Sequence, residues 1–200
     1  MGIKLTFLSW WTPNFINNQQ FDTVSSATTN ALKSLLKIHS PNTHIALESQ
    51  EKKLIGSLEE KRASMAKQHR ELVAALVEAV GEEQAAKLGR EKLFEVGKGL
   101  GVEIRGKLGI TSNPKDLVKA AKLLYRVLGI DFDVEWLGKT NASLLVHKCE
   151  LAKEYNEVTC LILSATDEGV INGLQPTANM TFKNKITDGS STCIAEIKFS

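Results

Sequence analysis

The sequence predicts an α+β protein in which N-terminal helices pack on an antiparallel sheet completed by a C-terminal helix and a β-hairpin. Three observations carry this. Apolar residues recur at helical spacings between residues 54 and 128, strict apolar/polar alternation begins at Ile130 and returns later, and adjacent strand-like runs are joined by short turns. No alternation of strand and crossover helix appears, so a parallel sheet is excluded.

Residues 1–45 are the least domain-like part, with Trp10, Trp11, Pro13, an Asn/Gln cluster at 17–20 and a Ser/Thr/Asn tract at 23–30. They are expected to form a weakly ordered extension, leaving 46–200 as a single domain that is helical over 46–128 and carries the sheet and the cysteines over 130–200. From Ile45 to Val80, Leu54, Leu58, Met65, Leu72, Val73, Leu76 and Val80 make one apolar stripe. Gly81 ends that run, Glu82 and Glu83 suit the positive end of a second helix, and Gly109 is its C-cap. Gly97 and Gly101 each cost this helix about 1 kcal/mol relative to alanine, which implies another element, or a ligand, lying against bare backbone. Gly97-Lys98-Gly99 is no phosphate loop, because no strand precedes it and no Ser or Thr follows the lysine. Asn113 and Pro114 start a third helix, and Gly129 stops it.

Ile130, Phe132, Val134 and Trp136 then alternate with Asp131, Asp133 and Glu135 as a strand, and residues 138–141 turn the chain into an antiparallel neighbour from Ala142 to His147. Residues 158–172 suit a short helix, broken at Gly173-Leu174-Gln175-Pro176. Asn179 to Ile186 alternates again, and Asp188-Gly189 is a strong turn signal before the final run, in which Cys193, Ala195, Ile197 and Phe199 face inward.

Twenty-five basic and 23 acidic side chains leave a net charge of +2 with neither sign gathered into a block, which argues against a nucleic-acid partner or a polybasic membrane anchor. No apolar run reaches the roughly 20 residues of a membrane span. Residues 1–11 lack a basic leader and a small-residue cleavage site. With an odd number of cysteines, this points to reduced thiols and a cytoplasmic location. The size leaves a homodimer open. Met1-Gly2 with Thr6 fits a myristoylation pattern and Asn141 and Asn179 fit glycosylation patterns, both of which chance supplies often.

The chemistry is concentrated at the end of the chain, where Cys149, Cys160 and Cys193 all fall. On a helix, the seven-residue step from Cys160 to Asp167 returns to within about 20° of the same face, with Ser164 about 40° away. Glu168 projects about 100° from Asp167 and is assigned to the helix surface or a cap. Free cysteine is often small hydrophobic filler. Two functional readings stand beside that one. Cys149, Cys160 and Cys193 with His147 or Asp167 could form a zinc site, although no CxxC is present, and His147 alone reads as a strand-end surface residue. Alternatively one thiol is a nucleophile, with Cys160 beside Asp167 as the first pair to test and His147 as base or orienting group. His39, His44 and His69 receive no role.

The order Cys149, Cys160, Asp167-Glu168-Gly169, Gly173-Leu174-Gln175-Pro176, Phe182, Gly189, Cys193 and Phe199 resembles the C-terminal signature of the L-2-amino-thiazoline-4-carboxylic acid hydrolase family. The resemblance covers roughly residues 80–200, and a more distant one runs to the 4-vinyl reductase domain, a small-ligand-binding α+β module. Glu150 departs from the proline that many relatives are expected to carry there. The resemblance implies helices beside a sheet enclosing a small-ligand cavity, and hydrolysis of a sulfur-containing cyclic amidine to a carbamoyl-cysteine. Cys160, Asp167, Cys149 and Cys193 are then the catalytic candidates, and either a thiolate attacks directly or a carboxylate activates water. The alternative is a non-enzymatic ligand- or zinc-binding module. Lys148, Arg126 and Arg105 are candidate cations for a substrate carboxylate by class alone.

Overall fold

The computed structural model of the chain describes residues 14–49, 54–111 and 113–199. Among the described residues six α-helices, α1 (Asn14–His39), α2 (Pro41–Ser49), α3 (Leu58–Val80), α4 (Glu82–Leu108), α5 (Pro114–Leu128) and α6 (Glu157–Leu174), accompany four strands, β1 (Ile130–Trp136), β2 (Asn141–Cys149), β3 (Ala178–Asn184) and β4 (Cys193–Phe199). The fold is α+β, with an antiparallel sheet in the order β1-β2-β4-β3.

Local chemistry sets most boundaries. Asn113 caps α5 by accepting from Lys115 N–H, Pro114 opens that helix, and Gly129 closes it in the left-handed conformation at φ 72°. Gly109 closes α4 at φ 62°. The single helical run read from Ile45 to Val80 is instead interrupted, because Gly56 takes φ 104° and Ser57 begins a new helix. Ser57 and Glu60 form a reciprocal capping box, Glu60 N–H donating to Ser57 Oγ and Ser57 N–H to Glu60 Oε2 at 2.7 Å.

Residues 14–39, expected to lie in a weakly ordered extension, form a long helix that supplies core. Phe21, Leu32 and Leu36 of α1 are fully buried. The polar tract at 23–30 hid this stripe, since Ser25, Thr28 and Thr29 are themselves buried on the same side. Trp10, Trp11 and the pattern at Met1-Gly2 lie outside the described residues.

α4 and α6 pack closely against each other. A Cβ on Gly97 would stand 2.0 Å from Thr166 O, one on Gly101 2.4 Å from Val170 O, one on Gly169 2.1 Å from Phe94 O and one on Gly173 2.2 Å from Lys98 O. Backbone meets backbone there. Gly97 and Gly101 therefore accommodate a helix, and no ligand is needed to explain them.

The inner face of the sheet presents Ala142, Leu144 and Val146 from β2 and Cys193, Ala195, Ile197 and Phe199 from β4. With α5 and α6 these make one apolar cluster. A second joins α1, α3, α4 and α6 through Leu32, Leu36, Leu76, Leu93 and Ile162. A third, smaller one gathers Phe21, Met65, Ala66, Val127 and Leu151.

Candidate functional site

A cavity opens where the three clusters meet, with about 730 Å³ of atom-free space, part of it continuous with solvent. All three cysteines line it. Cys149 arrives at the end of β2, Cys160 from the first turn of α6 and Cys193 from the start of β4. Helical periodicity brings Ser164 and Asp167 onto the Cys160 stripe, and both line the same space.

The thiols are poorly suited to ionise. Burial pushes Cys149 up to about 12, against the pull of the Leu151 and Ala152 amides. Burial also raises Cys160 to about 11, although Thr187 hydrogen-bonds it and Lys185 lies near. Cys193 is raised by the same cause, while accepting from Ile186 N–H at 3.3 Å. Since the thiolate is the nucleophilic form, these are protonated side chains at neutral pH.

Asp167 is the group whose titration falls in the working range. Burial raises it to about 7, a shift opposed by the Tyr125 hydroxyl that donates to it and reinforced by Glu168 next along the chain. The surface it does expose lines the cavity. Glu168, assigned from the sequence to the helix surface or a cap, is only 9% exposed. Arg90 Nη2 donates to its Oε2 at 2.8 Å and Arg90 Nη1 to Leu161 O at 2.7 Å. Burial still raises Glu168 despite that guanidinium. Its role is to tie α4 to α6.

His69, given no role from the sequence, is 1% exposed and lines the cavity. Its Nε2 lies 3.1 Å from Thr28 Oγ1 and 3.2 Å from Thr29 Oγ1, and its Nδ1 2.7 Å from the Tyr155 hydroxyl. Desolvation lowers it to about 3, so the ring is neutral. The signal for it was present, because His69 stands four residues after Met65 and four before Val73 on the buried stripe of α3.

Other candidates fall elsewhere. His147 follows inward-facing Val146, so the period of two turns it to the outer face of the sheet, where it is 50% exposed and 3.4 Å from Asp133. Among the described residues no three His, Cys, Asp or Glu side chains come together as a metal-holding group. Lys148 pairs with Glu150 at 2.8 Å, Lys153 pairs with the same carboxylate, and these lysines lower Glu150 to about 2. Arg126 lines a separate hollow between α1, α4 and α5, and Arg105 is a half-buried residue in the last turn of α4 that lines neither cavity. The cation at the thiol cavity is instead Lys185, whose side chain is 12% exposed and lies 3.7 Å from Asp188. The alternation read from Asn179 to Ile186 puts Lys185 on the polar face of a strand, whereas β3 ends at Asn184 and Lys185 lies in the link beyond it.

Fold and cavity together define an α+β protein with one thiol- and acid-lined hollow at the junction of helices and sheet. The sequence model of the L-2-amino-thiazoline-4-carboxylic acid hydrolase family matches residues 60–196, and the chain belongs to that family. No curated protein matches it. Among solved structures it is similar to a trafficking protein particle complex subunit 3 from Naegleria fowleri covalently bound to palmitic acid, at 17% identity and a TM-score of 0.56, over 70% of this chain and 95% of that one. It is also similar to the phenol-responsive sensory domain of the transcription activator PoxR with phenol, at 14% identity and a TM-score of 0.51, over 74% of this chain and 76% of that one. At these identities the likeness is one of fold. Among the described residues no helix is long and apolar enough to cross a membrane.

Proposed function

We propose that the protein hydrolyses a small sulfur-containing cyclic amidine, in keeping with its family, and that Asp167 rather than a cysteine performs the proton chemistry. The observation that carries this is a cavity carboxyl held near pH 7 by burial beside thiols held well above it. A general base works best with a pKa near the operating pH. Asp167 takes a proton from water as the water oxygen bonds to the amidine carbon. It passes that proton to the imine nitrogen of the ring, then takes the second proton from the new hydroxyl as the carbonyl forms and delivers it to the ring sulfur as the carbon–sulfur bond breaks, or to the same nitrogen as the carbon–nitrogen bond breaks, giving a carbamoyl-cysteine. Lys185 supplies the positive charge for a substrate carboxylate, and the protonated thiols of Cys149, Cys160 and Cys193 form a soft, uncharged wall.

The test is turnover of 2-aminothiazoline-4-carboxylate. Asp167→Asn should lower kcat by about 10²–10⁴-fold with the fold intact, whereas Cys160→Ser should stay within about tenfold of the parent. The opposite pattern would return the nucleophile to Cys160. A second reading, a binding module without turnover, is favoured by the apolar lining of the cavity, where Met65, Leu128, Ile130, Val146, Leu163 and Phe182 surround few polar groups. It predicts calorimetric binding with no product.

A further inference from the structure

A buried hydroxyl with nothing to bond to marks one wall of the thiol cavity. Among the described residues Thr166 Oγ1 has no hydrogen-bond partner, although the residue is only 8% exposed. A helical threonine or serine ordinarily returns its hydroxyl to a carbonyl one turn back. Thr28 does so to Val24 O at 2.9 Å, and Ser164, two residues before Thr166 on α6, donates to Leu161 O at 3.0 Å. A hydroxyl that is buried and left unbonded has given up water and gained nothing, so it calls for a partner that the chain itself does not supply.

The place of Thr166 on α6 says where that partner comes from. Cys160, Leu163, Ser164 and Asp167 line the cavity, while Gly169 and Gly173 meet α4. Thr166 lies about 60° around the helix from Leu163 and about 60° from Gly169, on the border between the two faces. It lines the cavity, and its carbonyl lies against Gly97. The carbon that bears the hydroxyl also bears a methyl, and a turn of about 120° about χ1 moves the one into the place of the other. On the α4 side the backbone groups are bonded within their own helix, so a further polar atom enters only from the cavity. We propose that Thr166 is a specificity-determining residue whose hydroxyl hydrogen-bonds a nitrogen or oxygen of the bound molecule, next to the group on which Asp167 acts. The proposal rests on the cavity of the preceding section being the ligand site. It names what the ligand brings, a polar heteroatom at the edge of the cavity nearest α4. A hydroxyl both donates and accepts, so an amidine nitrogen or a carboxylate oxygen satisfies it and a hydrocarbon edge does not.

Thr159 supplies the control. Its Oγ1 is also unpartnered and the residue is fully buried, but it lines neither cavity. Without ligand, Thr166→Val should melt no lower than the parent, because it exchanges an unbonded hydroxyl for a methyl of the same shape. A lower melting temperature would reveal a partner within the protein and overturn the proposal. Calorimetry with 2-aminothiazole-4-carboxylate, an aromatic analogue that resists ring opening, should show Thr166→Val binding about 5–100-fold more weakly than the parent, with Thr166→Ser and Thr159→Val close to the parent. Undiminished binding by Thr166→Val, or an equal loss in Thr159→Val, refutes the role. Should the parent not bind this analogue, the substrate reading fails on its own, and benzyl alcohol against its isostere ethylbenzene becomes the probe pair. Thr166→Val should then lose affinity for the alcohol and keep it for the hydrocarbon. Parallel changes for the two, or no binding of either by the parent, overturn the proposal.

Discussion

At the scale of single residues, burial sorts the titratable groups of the cavity into opposite kinds. Asp167 holds its proton to about pH 7 in the fold but releases it near 3.8 when unfolded. Its contribution to stability is thus full below about pH 4 and is lost as pH rises toward 7. Glu168, also raised, acts with the same sign. His69 does the reverse, because the fold keeps it neutral down to about 3 while the unfolded ring charges below 6.5. Its contribution is full above 6.5 and is lost as pH falls. The two slopes oppose each other between about pH 4 and 6.5, each worth roughly 4–5 kcal/mol over its full range. Removing one exposes the other. In urea titrations at pH 4.5, 5.5 and 6.5, Asp167→Asn should gain stability with rising pH more steeply than the parent, and an unchanged slope would mean that the carboxyl is not desolvated as described.

This balance was partly legible in the sequence. Asp167 and Cys160 were placed together by a seven-residue step, because a helix converts spacing into facing. Glu168 was misplaced for a related reason. Projection around one helix says where a side chain points, but not that Arg90 of another helix waits there. Tyr155 lies in a link where no period operates, and the alternation extended to Ile186 carried Lys185 past the true end of β3 at Asn184, so only the tertiary fold brings either to the cavity.

At the scale of elements, the α4–α6 seam makes the sharpest demand on the sequence. A methyl group at Gly97 or Gly169 would enter the partner backbone, and backbone cannot rotate aside as a side chain can. Gly97→Ala should destabilise by about 3 kcal/mol or more, beyond the usual range for overpacking because the obstructing atom is a carbonyl. Gly99 lies on the same helix with nothing within 4 Å of a Cβ, so Gly99→Ala should stabilise by about 0.5–1 kcal/mol. Thermal melts of the two variants give the contrast directly, and similar melting temperatures would count against the seam. The sequence marked Gly97 and Gly101 as costly and left a helix, a strand or a ligand as the cause. Four glycines on two facing helices name the cause, and pairing them needed the fold.

At the scale of the whole molecule, the strands and their turns followed closely from alternation and from Gly129, Gly138 and Gly189, whose positive φ angles end or turn the elements. The role of the N-terminal third did not. A helix whose inward side carries Ser25, Thr28 and Thr29 beside Phe21 and Leu32 looks polar to any hydrophobicity pattern. The Thr28 hydroxyl is inside because it bonds to backbone and contacts His69, and the Thr29 hydroxyl contacts the same ring. Phe21→Ala should cost about 3–5 kcal/mol, as for any large core truncation, when measured by denaturant unfolding. A loss under 1 kcal/mol would make α1 an appendage.

The position of the cavity carries a consequence for how the chain holds together. Its walls come from α1 and α3 on one side, from the sheet on another and from α6 between them, so segments as distant as Val24 and Cys193 face one void. A guest seated there would touch all three apolar territories at once and act as a keystone between halves of the chain that otherwise meet mainly along a bare glycine seam.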